Sequence, residues 1–304
     1  MGEAASDIDW LLTAADSQAD RATATSLLEP HDFADGDVVF RQNGSANGAW
    51  LIGQGQVRLI RRLPGGAESQ LALLGPGDVF GEVSLITNGG TRTTSAYAVG
   101  DTKLSLLPMR KVIALAEQDN PIAISMLRRL GTLVATRAAQ TIRKLAKGTA
   151  AFPNGCADAI TPDFAIADFI GRMPVGAELG YSGTDKLLEM GEAVRAHEGS
   201  ALDDAIYLVV RGAVRAMGDG QQVDICGPGR WLGTLAMASR VPLPLCYRAL
   251  GTAMLVRVPL PLFETHWQDS GHFGRLLVNV VNQDHAMMMR AANMAAGRAS
   301  LMLG

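Results

Sequence analysis

The sequence predicts a mainly β protein: two tandem β-jelly-rolls (double-stranded β-helices), each closed by helices at its C-terminal end. Three observations carry that expectation: an internal repeat, short apolar runs separated by turn residues, and a change to helical spacing at the end of each half. Gly36 to Ser45 lines up with Gly191 to Ser200, and Trp50 to Arg58 with Tyr207 to Arg215. Gly75-Pro76-Gly77 then meets Gly227-Pro228-Gly229, and Leu106-Leu107-Pro108 meets Arg257-Val258-Pro259. One fold used twice accounts for 304 residues, about two ordinary domains of roughly 150.

Taken in order, the runs Val38 to Arg41, Ala49 to Ile52, Gln56 to Arg62, Gln70 to Leu74, Ser95 to Val99 and Lys103 to Pro108 are bounded by Gly, Pro, Asn or Asp. That is strand-and-turn punctuation, and many short strands suit a roll or sandwich. Pro64-Gly65-Gly66 reads as a hairpin turn, because proline pre-sets the first corner and glycine accepts positive φ. After Arg110 the apolar residues Ile113, Leu115, Ile122, Met126, Leu130, Leu133, Ala138 and Leu145 recur at three-and-four spacing, which describes amphipathic helices. Leu276 to Ala296 does the same at the other end, with Met287, Met288, Met289 and Met294 making a helix core or a seam with another helix. The expected organisation is an N-terminal helical segment over 1–24, a first roll with its helices over 25–146, a Pro/Gly-bearing linker over 147–163 and a second roll over 164–304.

Composition narrows the function classes. The chain is 48% hydrophobic and 19% charged with net charge -3, so it folds, and it offers no overall basic field for nucleic acid. Its three cysteines, Cys156, Cys226 and Cys246, form neither a disulfide framework nor a CxxC motif. No apolar run approaches the about 18 residues of a membrane span, and no secretory leader is legible, so a cytoplasmic location is expected. The five histidines are isolated, and no P-loop, nucleophile–base pair or paired catalytic carboxylates can be pointed to. A non-enzyme without a metal or cofactor is expected.

One constellation goes beyond fold. Phe80-Gly81-Glu82-Val83-Ser84-Leu85-Ile86 is followed, after Thr87 to Gly90, by Thr91-Arg92-Thr93-Thr94. A glycine opening a short helix lets backbone N–H groups face an anion, and an arginine brought beside it can clamp two phosphate oxygens. Glu82 would repel a phosphate but can accept a hydrogen bond from a neighbouring hydroxyl such as a ribose 2′-OH. The pattern describes a nucleotide whose phosphate lies close to a free ribose hydroxyl.

On these residues the chain resembles the cyclic nucleotide-binding domain family, of the catabolite activator and kinase regulatory-subunit type. Phe80, Gly81, Glu82, Val83, Ser84, Leu85, Arg92 and Thr93 meet its phosphate-binding cassette, and Gly36, Gly44, Gly55 and Gly77 stand where its roll turns. Asn120-Pro121 begins a closing helix pair as in the family. The resemblance implies a cyclic mononucleotide ligand, cAMP or cGMP. Glu82 would bind the ribose, Gly81, Val83 and Ser84 would offer donors, Arg92 and Thr93 would hold the cyclic phosphate, and the helix near Arg137 and Thr141 would cap the base.

The second copy departs from this pattern: Thr234 stands where Glu82 does, and the stretch Val241 to Leu245 supplies no clamp. A ligand-free structural partner is expected there. With a second roll where bacterial relatives carry a DNA-binding motif, the output is expected to be a protein partner or self-association through the closing helices, with neither membrane nor nucleic acid involved. The rival expectations are a transcription regulator of the catabolite activator type, a ligand-free interaction scaffold, and a cyclic dinucleotide binder.

Overall fold

The computed structural model describes residues 18–62, 66–84, 90–145, 157–159, 164–218 and 221–302. The chain forms two compact units, Met1–Leu130 and Gly131–Gly304. The segments 1–17, 85–89, 146–156 and 160–163 and most of the expected Pro64-Gly65-Gly66 turn lie outside the described residues.

In the first unit, helix α1 (Gln18–Ser26) precedes strands β1 (Glu29–Phe33), β2 (Val38–Phe40), β3 (Gly48–Arg62), β4 (Glu68–Leu74), β5 (Val79–Phe80) and β6 (Ser95–Pro108), then helix α2 (Met109–Ala116). The antiparallel sheet runs β1-β6-β3-β4, with β2 against β6 and β5 against β3. The two long strands β3 and β6 form its spine, and their register shifts around Ile52, Gln54 and Gln56. Gly55, at φ 81, sits in that irregularity, where a Cβ would fall 2.6 Å from the Asp101 carbonyl oxygen. The close approach admits only glycine and lets β3 bend. Trp50, Ile52, Val57, Phe80, Ala96, Leu104 and Leu106 form the core, with Phe40 and Leu59 packed against it.

Helix α3 (Pro121–Leu145) starts with proline at its first turn, and the Asn120 side-chain oxygen accepts the Ile122 and Ala123 amides at 3.1 Å. The division between the compact units falls inside this helix.

The second unit continues with β7 (Ala157–Ala159), α4 (Phe164–Gly171), α5 (Pro174–Met190, kinked at Gly180), β8 (Glu192–Ala196), β9 (Ile206–Gly218), β10 (Gln221–Cys226), β11 (Trp231–Leu232), α6 (Thr234–Ser239), β12 (Cys246–Val258), α7 (Leu260–Gln268) and α8 (His272–Met302). Its antiparallel sheet runs β10-β9-β12-β8-β7, with β11 against β9. The segment expected as linker therefore contributes an edge strand, β7, which pairs with β8.

Hydrogen bonding revises one part of the expected repeat alignment. β1 lies against the end of β6, with Glu29 opposite Leu106, and β8 lies in the same way against β12, with Glu192 opposite Arg257. Gly36 donates to Ala98, whose own amide returns to Asp37, and Gly199 and Ser200 make the same exchange with Ala249. Gly36 thus matches Gly199 rather than Gly191, because pairing, not a shared Gly-acid dipeptide, fixes register. The stretch leading from this exchange to the next long strand is shorter in the second unit: Ala201 bridges Arg248 as Val38 pairs with Tyr97, and β9 begins at Ile206, whereas the first unit adds the Arg41–Gly44 turn before Gly48.

Candidate functional site

That added turn anchors the candidate site at Arg92. Arg92 is the largest fully buried side chain of the first unit's described residues, at 1% exposure, and Glu82 is buried beside it at 3%. The backbone of Arg92 is pinned to the turn after β2: its amide donates to the Gly44 carbonyl and its carbonyl accepts the Asn43 amide, both at 2.8 Å. Its guanidinium then reaches inward. Nη1 donates to the Gly81 carbonyl at 2.8 Å, and Nη2 donates to Asn47 Oδ1 at 3.0 Å and to the Gly48 carbonyl at 2.9 Å. The Phe40 ring lies under the cation, 4.2 Å from its centre.

These acceptors are all neutral. Burial pushes the Arg92 pKa down and the nearby Glu82 carboxylate pushes it up, with burial prevailing at about 10. Nε is buried and has no acceptor among the described residues. The site therefore holds a desolvated cation in a preset orientation, which is what tight capture of an anion requires.

Gly81 takes φ 78, and a Cβ there would stand 2.6 Å from Arg92 Nη1. The carbonyl of Gly81 can meet the guanidinium only because no side chain intervenes. Glu82, Val83 and Ser84 form a 3-10 turn. Thr93 is exposed beside Arg92. The structure thus brings Gly81 and Glu82 to Arg92, with Val83 and Ser84 next along the turn and Thr93 next to Arg92 in the chain, while Leu85 and the loop to Gly89 lie outside the described residues. Arg137 and Thr141 lie on the part of α3 that belongs to the second unit, and the Thr141 hydroxyl donates to the Arg137 carbonyl at 2.9 Å on its own helix. Sequence reasoning missed Phe40, Asn47 and Gly48. Phe40 read only as a strand residue and Asn47-Gly48 only as a turn, so no local signal tied them to Arg92.

At the corresponding place in the second unit, Gly233 keeps positive φ at 87, but Thr234 begins helix α6 and is buried. Leu243 and Leu245 are buried in the stretch before β12. Arg240 is exposed near Glu264, and Arg248 is exposed and donates to the Gly199 carbonyl. The buried charge of this unit is elsewhere. Arg230 bonds Asp284 of α8 at 2.5 Å and Asp224 at 3.2 Å, and Asp284 also accepts the Trp231 amide. Among the described residues no group of three His, Cys, Asp or Glu side chains is arranged to hold a metal ion, and no helix is long and apolar enough to cross a membrane.

Residues 30–119 match the family model of the cyclic nucleotide-binding domain, so the first unit contains such a domain. The chain is similar to the cyclic AMP receptor protein of Thermus thermophilus, 37% identical over 122 residues that make 40% of this chain and 51% of the relative. It is also similar to the CRP-like cAMP-activated global transcriptional regulator of Mycobacterium tuberculosis, 37% identical over 27% of this chain and 36% of the relative. The chain spans about half the length of the first of these relatives and less of the second. Among solved structures, the regulatory domain of Toxoplasma gondii PKA with cAMP aligns over 84% of this chain and 87% of its own, at 16% identity and a TM-score of 0.32.

Proposed function

We propose that the chain is a regulatory receptor for a cyclic mononucleotide, cAMP or cGMP, that it is not an enzyme, and that only its first unit takes the ligand. The observation that carries this reading is the Arg92 guanidinium, buried against Phe40, bonded among the described residues to neutral acceptors and held at a depressed pKa of about 10. An anion arriving there completes a charge that folding has already desolvated. In this reading the cyclic phosphate takes Arg92 and Thr93, the ribose 2′-OH donates to Glu82, and backbone donors come from the turn at Gly81, Val83 and Ser84. The cAMP-binding names of the relatives support the ligand class. The second unit, a tandem copy in this reading, offers Thr234 and buried leucines in place of the acid and the clamp, and serves as a structural partner.

The output follows from the position of the helices. Capture of the phosphate draws the cassette inward, and α2 and α3 respond as a two-state element that a protein partner or a second copy reads. Calorimetric titration with cAMP and with cGMP, counting sites, tests the reading, and Arg92→Ala assigns them. Removing one side of a desolvated charge pair costs about 2 to 5 kcal/mol, so the variant should lose at least roughly 30-fold in affinity. One site that the substitution abolishes supports the reading. No heat from either nucleotide at micromolar sensitivity overturns it and leaves an interaction scaffold.

A further inference from the structure

A groove on the first unit has a chemistry that cyclic-nucleotide binding leaves unused. It encloses about 510 Å³ and is lined by Arg41 in the turn after β2, Arg61 and Arg62 at the end of β3, Glu68 at the start of β4, and Tyr97 on β6. That volume is in the range of small-molecule sites, roughly 300–1,000 Å³. Strand alternation sets it apart from the roll's interior: Ala96 and Ala98 are buried in the core, whereas Tyr97 between them points to the other face of β6. Asn43, whose amide bonds the Arg92 carbonyl, lines its edge, but Gly81, Glu82 and Arg92 do not line it.

The groove is preorganised. The Gln42 side chain bonds both sides of the Arg62 peptide, accepting its amide at 2.7 Å and donating to its carbonyl at 3.2 Å, while the Gln42 amide donates to Ser95 Oγ at 2.9 Å. The turn carrying Arg41 is thereby fastened to both β3 and β6. Three arginines and one acidic residue line it in a chain of net charge -3, so the local basicity is not a by-product of composition. The Arg62–Glu68 pair, 3.1 Å apart, is exposed and holds little energy. Among the described residues, the Arg41 and Arg61 side chains have no carboxylate partner, which leaves two forks for a ligand.

We propose that this groove is a second anion site, and that it takes an oligophosphate. Guanidinium forks match phosphate oxygens bidentately, and arginines on separate elements suit a chain of phosphates better than a single one. The Tyr97 ring offers a stacking surface where those phosphates belong to a nucleotide.

The test is titration of the full chain with tripolyphosphate and with ATP, in magnesium-free buffer. Wild type should bind saturably, Arg41→Ser/Arg61→Ser should lose roughly tenfold or more, and Glu68→Gln should bind more tightly because it frees Arg62 and removes the opposing charge. A gain of affinity cannot come from misfolding. Equal affinity for the two probes assigns the site to the phosphate chain, and tighter ATP binding assigns it to a nucleotide. Arg61→Ser alone, which lies outside the turn that pins Arg92, should weaken tripolyphosphate binding yet bind cAMP as wild type does, and saturating cAMP should leave tripolyphosphate bound, which keeps this site's failure separate from that of the cassette. The proposal is overturned by the absence of saturable binding below about 1 mM, by unchanged affinity in the double variant, or by displacement with cAMP.

Discussion

Gly81 and Gly36 form a controlled pair for asking whether the cassette's geometry positions Arg92. Both adopt left-handed backbone, at φ 78 and φ 82. A Cβ at Gly36 meets nothing within 4 Å, whereas one at Gly81 meets Arg92 Nη1 at 2.6 Å and Phe40 Cε1 at 3.3 Å. Alanine at either position costs about 1–2 kcal/mol for its backbone conformation. Only Gly81→Ala must also push the guanidinium away by about 1 Å to reach ordinary contact. That displacement breaks the 2.8 Å bond to the Gly81 carbonyl, and a hydrogen bond to a charged group is worth about 1.5–3 kcal/mol. The expected losses of stability are therefore about 1–2 kcal/mol for Gly36→Ala and about 2.5–5 kcal/mol for Gly81→Ala. Urea denaturation of the ligand-free chain reads those values, and calorimetry with cAMP reads the consequence. Gly36→Ala should bind as wild type, while Gly81→Ala should lose tenfold or more. Equal destabilisation of the two variants together with wild-type binding by Gly81→Ala would refute the claim that Gly81 sets the Arg92 position.

Two further expectations concern the second unit. His285 is fully buried, its Nδ1 lies 3.2 Å from the Gly131 carbonyl, and burial holds its pKa down at about 4. The native imidazole stays neutral while the unfolded chain takes up a proton below about 6.5, so stability is lost as pH falls from about 6.5 to about 4, by about 3 kcal/mol in all. His285→Asn, which keeps a donor for Gly131, should flatten that slope. Asp284, whose pKa burial raises, works in the opposite sense but is present in both proteins. Amide exchange along α8 at pH 7 and pH 4.5 measures the difference, and parallel slopes would discard the assignment. Arg230→Met should destabilise by about 3–5 kcal/mol because it strands the buried Asp284 carboxylate. Adding Asp284→Leu should recover most of that loss, and a double variant no more stable in urea than Arg230→Met alone would show that the pair is not the source.

What the sequence disclosed and what it withheld divide along sequence separation. Strand runs and helical spacing are local patterns, and the turn glycines with Glu82 and Arg92 are legible because the cassette is nearly contiguous. The cradle of Arg92 is not contiguous: Phe40, Asn47 and Gly48 meet it only when the turn after β2 closes on the backbone of Arg92. The same separation misplaced Gly191 opposite Gly36, since residue likeness carries no information on which strands pair. Correcting that register changes how the second unit is understood. A sequence alignment shows an acid and an arginine replaced, and the pairing shows that the Arg41–Gly44 turn, whose Asn43 and Gly44 pin the Arg92 backbone, is missing from the shorter stretch between Ala201 and Ile206. An arginine restored near position 244 would lack the turn that pins the Arg92 backbone and would bury its charge beside Leu243 and Leu245, a penalty of several kcal/mol. Buried Leu243 and Leu245 are the residues such a place tolerates. An arginine clamp and the turn that holds it form one physical unit, so building one into the second unit takes the turn as well as a point change.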